Sequence, residues 1–349
     1  MEKARFKWVL RERNRKIAAK TEVFTEQQAR RVRSFHSSFK EYSPTPLIEL
    51  TSLAQHLGIK NLLVKDESYR FGLNAFKVLG GSFAIGSYIA NELGEDIDDL
   101  PYMRLVSDEV RSLLGSKTFI TTTDGNHGRG VAWTANRLKQ QAIVYMPQGS
   151  AAERLANIRA EGAQAEITDM NYDDTVRYTS ELAQKNGWII VQDTAWDGYT
   201  RIPLWIMHGY MTMALEAYEQ LPVKPTHIFL QAGVGSLAGS VQGFFADIYG
   251  SSCPLTFIVE PKGADCLYQT AAANDGSLHS VTGRLETIMA GLACGEPNSI
   301  AWEILGNLSD GFISCPDYTA AQGMRILGNP LAGDTKVIAG ESGAATVGL

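Results

Sequence analysis

From residue 60 onward the chain alternates short β-branched runs with helical patterns, and its glycine-rich motifs sit where strand gives way to helix. That alternation implies parallel strands joined by right-handed crossovers, so the expected class is α/β, with open parallel sheets and helices on both faces. Ligands of such sheets bind beyond the carboxyl ends of the strands, where the strand-to-helix turns cluster. Three of those turns, together with one lysine, decide what the chain can do.

Strands are expected at 61–65, 118–123, 142–146, 165–168, 188–192, 227–232, 255–260 and 312–315. Ile85, Ile89 and Leu93 recur at i, i+4 and i+8, which places one apolar stripe on the helix after Lys77. Further helices are expected at 128–139, at 151–161 where Gly162 stops the turn, up to Gly187, from Pro203 to Gln220, and at 237–249. The acidic stretch 95–108 reads as a surface excursion, and the basic stretch 1–20 as a solvated helix or fraying arm.

With 349 residues the chain can bury two cores. No Pro- or Ser-rich linker separates them, so intertwined domains are expected: 1–85 with 200–349 as the large one, and 86–199 as the small one. A net charge of −6 leaves no basic footprint for nucleic acid. No apolar run approaches the ~18 residues of a membrane span, and Glu2 and Glu12 interrupt any leader, so the chain reads as cytoplasmic. Cys253, Cys266, Cys294 and Cys315 lack a CxxC spacing and read as thiols. The six histidines are scattered without HxxxH spacing, so no metal site is expected.

Lys77 lies among Phe76, Val78 and Leu79, followed by Gly80, Gly81 and Ser82. Burial there would disfavour the ammonium and leave an amine able to attack an aldehyde, while small residues on the next turn admit a flat ligand. The bland alternative is a lysine whose stem covers apolar surface. The turn 231–239 sets Gly233, Val234, Gly235, Ser236, Leu237 and Gly239 between strand and helix, where successive amides can converge on a phosphate. The turn 121–130 offers Thr122, Thr123 and Gly125 to clasp a carboxylate, Asn126 as a donor to a ring oxygen, and His127 in a supporting role; helix capping is its plainer reading. After a third strand, Asp193 could face a cationic group, with Trp196 and Tyr199 as walls, although ordinary helix entry would explain them too. In the acidic turn 169–174 only Tyr172 reads as a pocket residue.

The order of Asn74-Ala75-Phe76-Lys77, Asp124-Gly125-Asn126-His127-Gly128 and Gly233-Val234-Gly235-Ser236-Leu237-Ala238-Gly239 resembles that of fold-type II pyridoxal-phosphate enzymes. Longer blocks at 65–77, 122–133, 168–177, 192–196 and 289–298 are similar to the 2,3-diaminopropionate ammonia-lyase family. The resemblance implies that Lys77 forms the internal aldimine with pyridoxal 5′-phosphate, that Phe76 lies close to the ring, that Asn126 contacts the ring hydroxyl, and that 233–239 holds the phosphate. It further implies α,β-elimination of D- and L-2,3-diaminopropionate to pyruvate and two ammonia, with Lys77 and Asp124 taking the Cα proton from opposite faces. Related dehydratases carry a hydroxyl residue where Asp124 stands. A carboxylate beside the substrate's own is tolerable only if the substrate brings a second cation, and Asp124 with Asp193 reads as a pair of counter-charges for a β-ammonium. The resembling enzymes continue past the position of Leu349 through a strand that faces the pyridine nitrogen, so no residue is assigned there. They also suggest a homodimer, and that Cys266 and Cys294 lie close to one another. The competing readings are a threonine/serine dehydratase or β-replacement enzyme on the same fold, and, from another class, a nucleotide-binding protein using only the glycine-rich turn.

Overall fold

The computed structural model describes residues 6–11, 21–123 and 125–349; Asp124, the expected second proton acceptor, lies outside the described residues, as does most of the basic stretch 1–20. The chain forms two compact units, one of Met1–Glu26, Pro44–Tyr69 and Met213–Leu349, the other of Gln27–Ser43 and Arg70–Thr212. These limits fall elsewhere than 1–85/200–349 against 86–199. The reason lies in the Lys77–Leu93 helix, whose backbone meets the Asn126–Arg137 helix of the same unit: a Cβ on Gly130 would stand 2.8 Å from Val78 Cα, so only glycine allows that approach.

In the second unit four strands run parallel in the order Gln164–Ile167, Gln141–Met146, Thr118–Thr122, Ile189–Ile190. The chain leaves Thr118–Thr122 to build the sheet on one side, then returns to its other side at Ile189. Thr118–Thr122 and Ile189–Ile190 therefore flank a topological switch point, where a crevice opens at the carboxyl ends. Phe119, Ile120, Val144 and Met146 are buried, the first two on opposite faces of the sheet, and Val131, Ala132 and Ile158 of the covering helices are equally buried.

In the first unit His227–Gln231, Leu255–Pro261 and Gly311–Cys315 are parallel neighbours, and Lys7–Leu10 joins Gly311–Cys315 antiparallel. Part of the basic N-terminal stretch is thus an edge strand, not the solvated helix or arm its charge suggested, because the free edge of Gly311–Cys315 offers it a ladder of backbone partners. Leu63–Lys65 pairs antiparallel with Leu47–Glu49 in a separate two-stranded sheet, a shorter strand than expected and outside the parallel pattern. Further differences are local. The 95–108 stretch buries Ile97, Leu100 and Leu105, so it docks on the unit instead of looping over it. The Lys77–Leu93 helix is buried continuously from Val78 to Ser87, far wider than the stripe its spacing predicted, because helices cover it on several sides.

Candidate active site

Lys77 opens its helix, with Phe76 at the N-cap position offering no side-chain cap; of the three residues in left-handed backbone just before it, Phe71, Gly72 and Asn74, only one is glycine. Its Nζ donates to Asp193 Oδ2 at 2.6 Å, with the Lys77 side chain 19% and the Asp193 side chain 7% exposed. The amine expected in an apolar pocket is therefore held by a carboxylate. Asp193 follows the Ile189–Ile190 strand, next to Gln192, whose Oε1 accepts from the Thr122 amide. Burial alone would push its carboxyl up; Lys77 first, then His127, more than reverse this and hold it at about 2.

His127 is buried on the helix that follows. Its Nε2 donates to Val191 O at 2.7 Å, and Nδ1 has no hydrogen-bond partner among the described residues. Burial holds the imidazole below its usual value, with Asp193 raising it and Lys77 lowering it. A neutral ring donating through Nε2 leaves Nδ1 as a bare acceptor.

The predicted carboxylate clasp is only partly available. The Thr122 hydroxyl is engaged with Thr175 O at 3.2 Å and Thr179 Oγ1 at 2.7 Å, and its amide donates to Gln192 Oε1 at 3.0 Å. Thr123 Oγ1 accepts from the Gly125 amide at 2.9 Å, tightening the turn. Gly125 lies under the Arg154 stem, whose Cδ would stand 3.1 Å from a Cβ there. Asn126 is exposed at the first helical position. Tyr172, half-buried, accepts from Gln192 Nε2 at 2.8 Å. The Tyr199 hydroxyl donates to Ile190 O at 3.0 Å and accepts from the Gln192 amide at 2.8 Å, while Trp196 stacks on its ring.

Sequence reasoning missed Gln192, which ties the Thr121 hydroxyl, the Thr122 backbone and Tyr172 together. It lies inside the 192–196 block already singled out, but an amide's partners cannot be read from a sequence. Tyr210 was missed as well. Its ring meets Phe76 edge-on at 5.0 Å, and its buried hydroxyl has no hydrogen-bond partner among the described residues.

In the other unit the 233–239 turn leads into the Ser236–Tyr249 helix, capped by Gly235 in left-handed backbone (φ 101°) without any side-chain cap. Its first amides are therefore not satisfied by a capping side chain. A Cβ on Gly233 would meet Cys294 Sγ and Leu292 Cα, each at 3.2 Å. Asn298, also unforeseen, donates from Nδ2 to Ser236 Oγ at 2.8 Å and from its amide to Val234 O at 2.8 Å. Cys266 Sγ lies 3.8 Å from Gly233 O, and burial pushes that thiol well up. No group of three His, Cys, Asp or Glu able to hold a metal occurs among the described residues.

One unit thus holds a lysine paired to a carboxylate, with His127 Nδ1 and the Tyr210 hydroxyl buried and without hydrogen-bond partners among the described residues; the other holds a helix that starts at a glycine without a side-chain cap. The sequence profile of the family described as "Pyridoxal-phosphate dependent enzyme" matches residues 39–349, and the chain belongs to this family, in its fold-type II form. Within it the chain groups with the diaminopropionate ammonia-lyases. It is 52% identical over 331 residues to the diaminopropionate ammonia-lyase of Escherichia coli (strain K12), covering 94% of this chain and 81% of that protein. The crystal structure of the holo enzyme from Escherichia coli superposes with a TM-score of 0.91 at 50% identity, over 99% of this chain and 85% of that one. A structure of that enzyme in complex with an aminoacrylate-PLP azomethine reaction intermediate superposes with a TM-score of 0.89 at 49% identity, over 99% and 85%.

Proposed function

We propose that the chain catalyses α,β-elimination of 2,3-diaminopropionate, both D and L, which with one water gives pyruvate and two ammonia. The observation that carries this reading is the Lys77–Asp193 pair at 2.6 Å, in a chain 52% identical to a diaminopropionate ammonia-lyase. Lys77 would be the attachment point for the cofactor aldehyde, and Phe76 and Asn126 would help to hold the cofactor there. The amides of Gly233, Val234, Gly235, Ser236, Leu237 and Gly239 would hold its phosphate, which suits a helix N-terminus without a side-chain cap. When bound, pyridoxal phosphate supplies an electron sink for the pair left behind as the Cα proton departs.

The remaining work falls to side chains. The Lys77 amine takes the Cα proton on one face and Asp124 on the other. Asp193 opposes the charge of Lys77 and, with Asp124, favours a substrate carrying a second ammonium over one carrying a hydroxyl. The Thr123 and Gly125 turn receives the substrate carboxylate, with Thr122 and Tyr172 braced behind it by Gln192. No helix among the described residues is long and apolar enough to cross a membrane. A homodimer in the cytoplasm, acting on a small amino acid and with no nucleic-acid or membrane partner, belongs to the same reading.

The test is kinetic. Lys77→Ala should remove the visible absorbance that borohydride abolishes and lower turnover roughly a thousandfold or more for both isomers. Asp124→Asn should cost the D isomer far more than the L isomer; equal losses would exclude two bases acting on opposite faces. An Asp124→Ser enzyme unchanged on diaminopropionate would favour a dehydratase instead.

A further inference from the structure

The strands Thr118–Thr122 and Ile189–Ile190 pair at Phe119↔Ile189 and Ile120↔Ile190, and a further backbone bond runs from the Val191 amide to Ile120 O at 2.9 Å. Continuing that register would set Thr122 opposite Gln192. The next carbonyl along, Val191 O, accepts instead from His127 Nε2 at 2.7 Å. A side chain completes the rung. Gln192 Oε1 accepts from the Thr122 amide at 3.0 Å, and Nε2 donates to Thr122 O at 3.1 Å. The same Oε1 accepts from the Thr121 hydroxyl at 3.0 Å, and the same Nε2 donates to the Tyr172 hydroxyl at 2.8 Å. The amide has used every donor and acceptor it owns, on a residue only 1% exposed. Turning it over would set its N–H groups against the Thr122 N–H, so one orientation is fixed. What the rung joins is chemical: Asp193, which takes Lys77 Nζ at 2.6 Å, follows Gln192, and the 123–126 turn follows Thr122.

We propose that Gln192 is a positioning residue that fixes the span between the 123–125 turn and Asp193, and with it the length of diamino acid the site accepts. This rests on the reading of that turn as the seat of the substrate carboxylate and of Asp193 as a counter-charge for its second ammonium. In 2,4-diaminobutyrate that ammonium lies one methylene further out than in 2,3-diaminopropionate. One methylene is worth roughly 10–200-fold in discrimination, and only where the groups that measure it hold still. Here those groups stand on two strand ends whose paired backbone stops at Ile190. The side-chain rung keeps the ends from parting. An amide does so without a charge, and therefore without disturbing the Lys77–Asp193 pair beside it.

Gln192→Met keeps the volume and removes the hydrogen bonds. Measured on the full cofactor-loaded chain, KM for 2,3-diaminopropionate should rise about tenfold, with a smaller fall in kcat. L-2,4-diaminobutyrate, which has no amine on Cβ to expel, serves as a competitive inhibitor, and its Ki divided by that KM should fall about tenfold. Gln192→Glu keeps the shape. As a carboxylate it opposes Thr122 O with an acceptor; protonated, it donates to Thr122 O and accepts from the Thr122 amide as glutamine does. Its kcat/KM relative to the parent should therefore climb as pH falls. His127, Tyr172, Tyr199 and the Lys77–Asp193 pair are common to both enzymes, so the ratio at each pH isolates residue 192. A glutamine that merely stabilised the fold would lower Tm in both variants and leave KM, Ki/KM and the pH ratio at the parent's values, and that result overturns the proposal. A parent enzyme that does not turn over 2,3-diaminopropionate would overturn the reading of the site itself, a distinct failure.

Discussion

Two helix starts, at Gly125 in one unit and at Gly235 in the other, look alike in the sequence: each is a glycine at the N-cap position without a side-chain cap. Their surroundings differ in kind. The first is neighboured by ionisable groups drawn from far along the chain, with Lys77 and Asp193 separated by 116 positions. The second is braced by neutral groups, Asn298 on Ser236 and Val234, and Leu292 and Cys294 against Gly233. A turn that only binds a phosphate needs its amides held still, which backbone and neutral side chains do at little electrostatic cost. A turn that serves proton transfer needs charge in a nearly dry place, and each charge must then be compensated by another.

Asp193→Asn attacks the charged side of this contrast and should have the largest effect. It leaves Lys77 without its counter-charge, lowering turnover about a hundredfold. It should also cost roughly 2–3 kcal/mol in urea unfolding, below the figure for a fully buried pair because part of the Lys77 side chain meets water. The acid behaviour separates it further. Asp193 sits at about 2 in the folded protein, below the usual 3.8 of an aspartate, so its contribution is complete above about pH 4 and lost as pH falls through 2. The variant should lack that loss in acid titration of unfolding.

Gly235→Ala attacks the neutral side. The left-handed backbone at φ 101° costs a non-glycine residue about 1–2 kcal/mol, and the new methyl would meet Ala301, Leu267 and Leu305, each at 3.3 Å. Cofactor affinity in equilibrium dialysis should fall about tenfold, with turnover at saturating cofactor nearly intact. The smallest expected effect belongs to Asn298→Ala, which removes both the brace on Ser236 and the cap whose Oδ1 accepts from Ile300 and Ala301. About 1 kcal/mol of thermal stability should go, with a weaker hold on cofactor and no change in pH profile. A shift of the pH profile there would blur the division between the two turns.

The strand–helix alternation and the two glycine-rich helix starts could be read directly from the residues, because periodicity and glycine spacing are local properties. Helix ends at Gly162 and Gly187 follow for the same reason, and both adopt positive φ. Tertiary structure decided the rest. It paired Lys77 with Asp193, used the Thr122 hydroxyl inside the protein, turned Tyr172 toward Gln192 and laid Tyr210 on Gly80. It also converted part of a basic N-terminal stretch into an edge strand. Hydrogen bonds and ion pairs act over about 3 Å, whereas the residues that make them here stand tens to more than a hundred positions apart. Residue types can nominate such partners, but only the crossing of strands at a switch point brings them within reach.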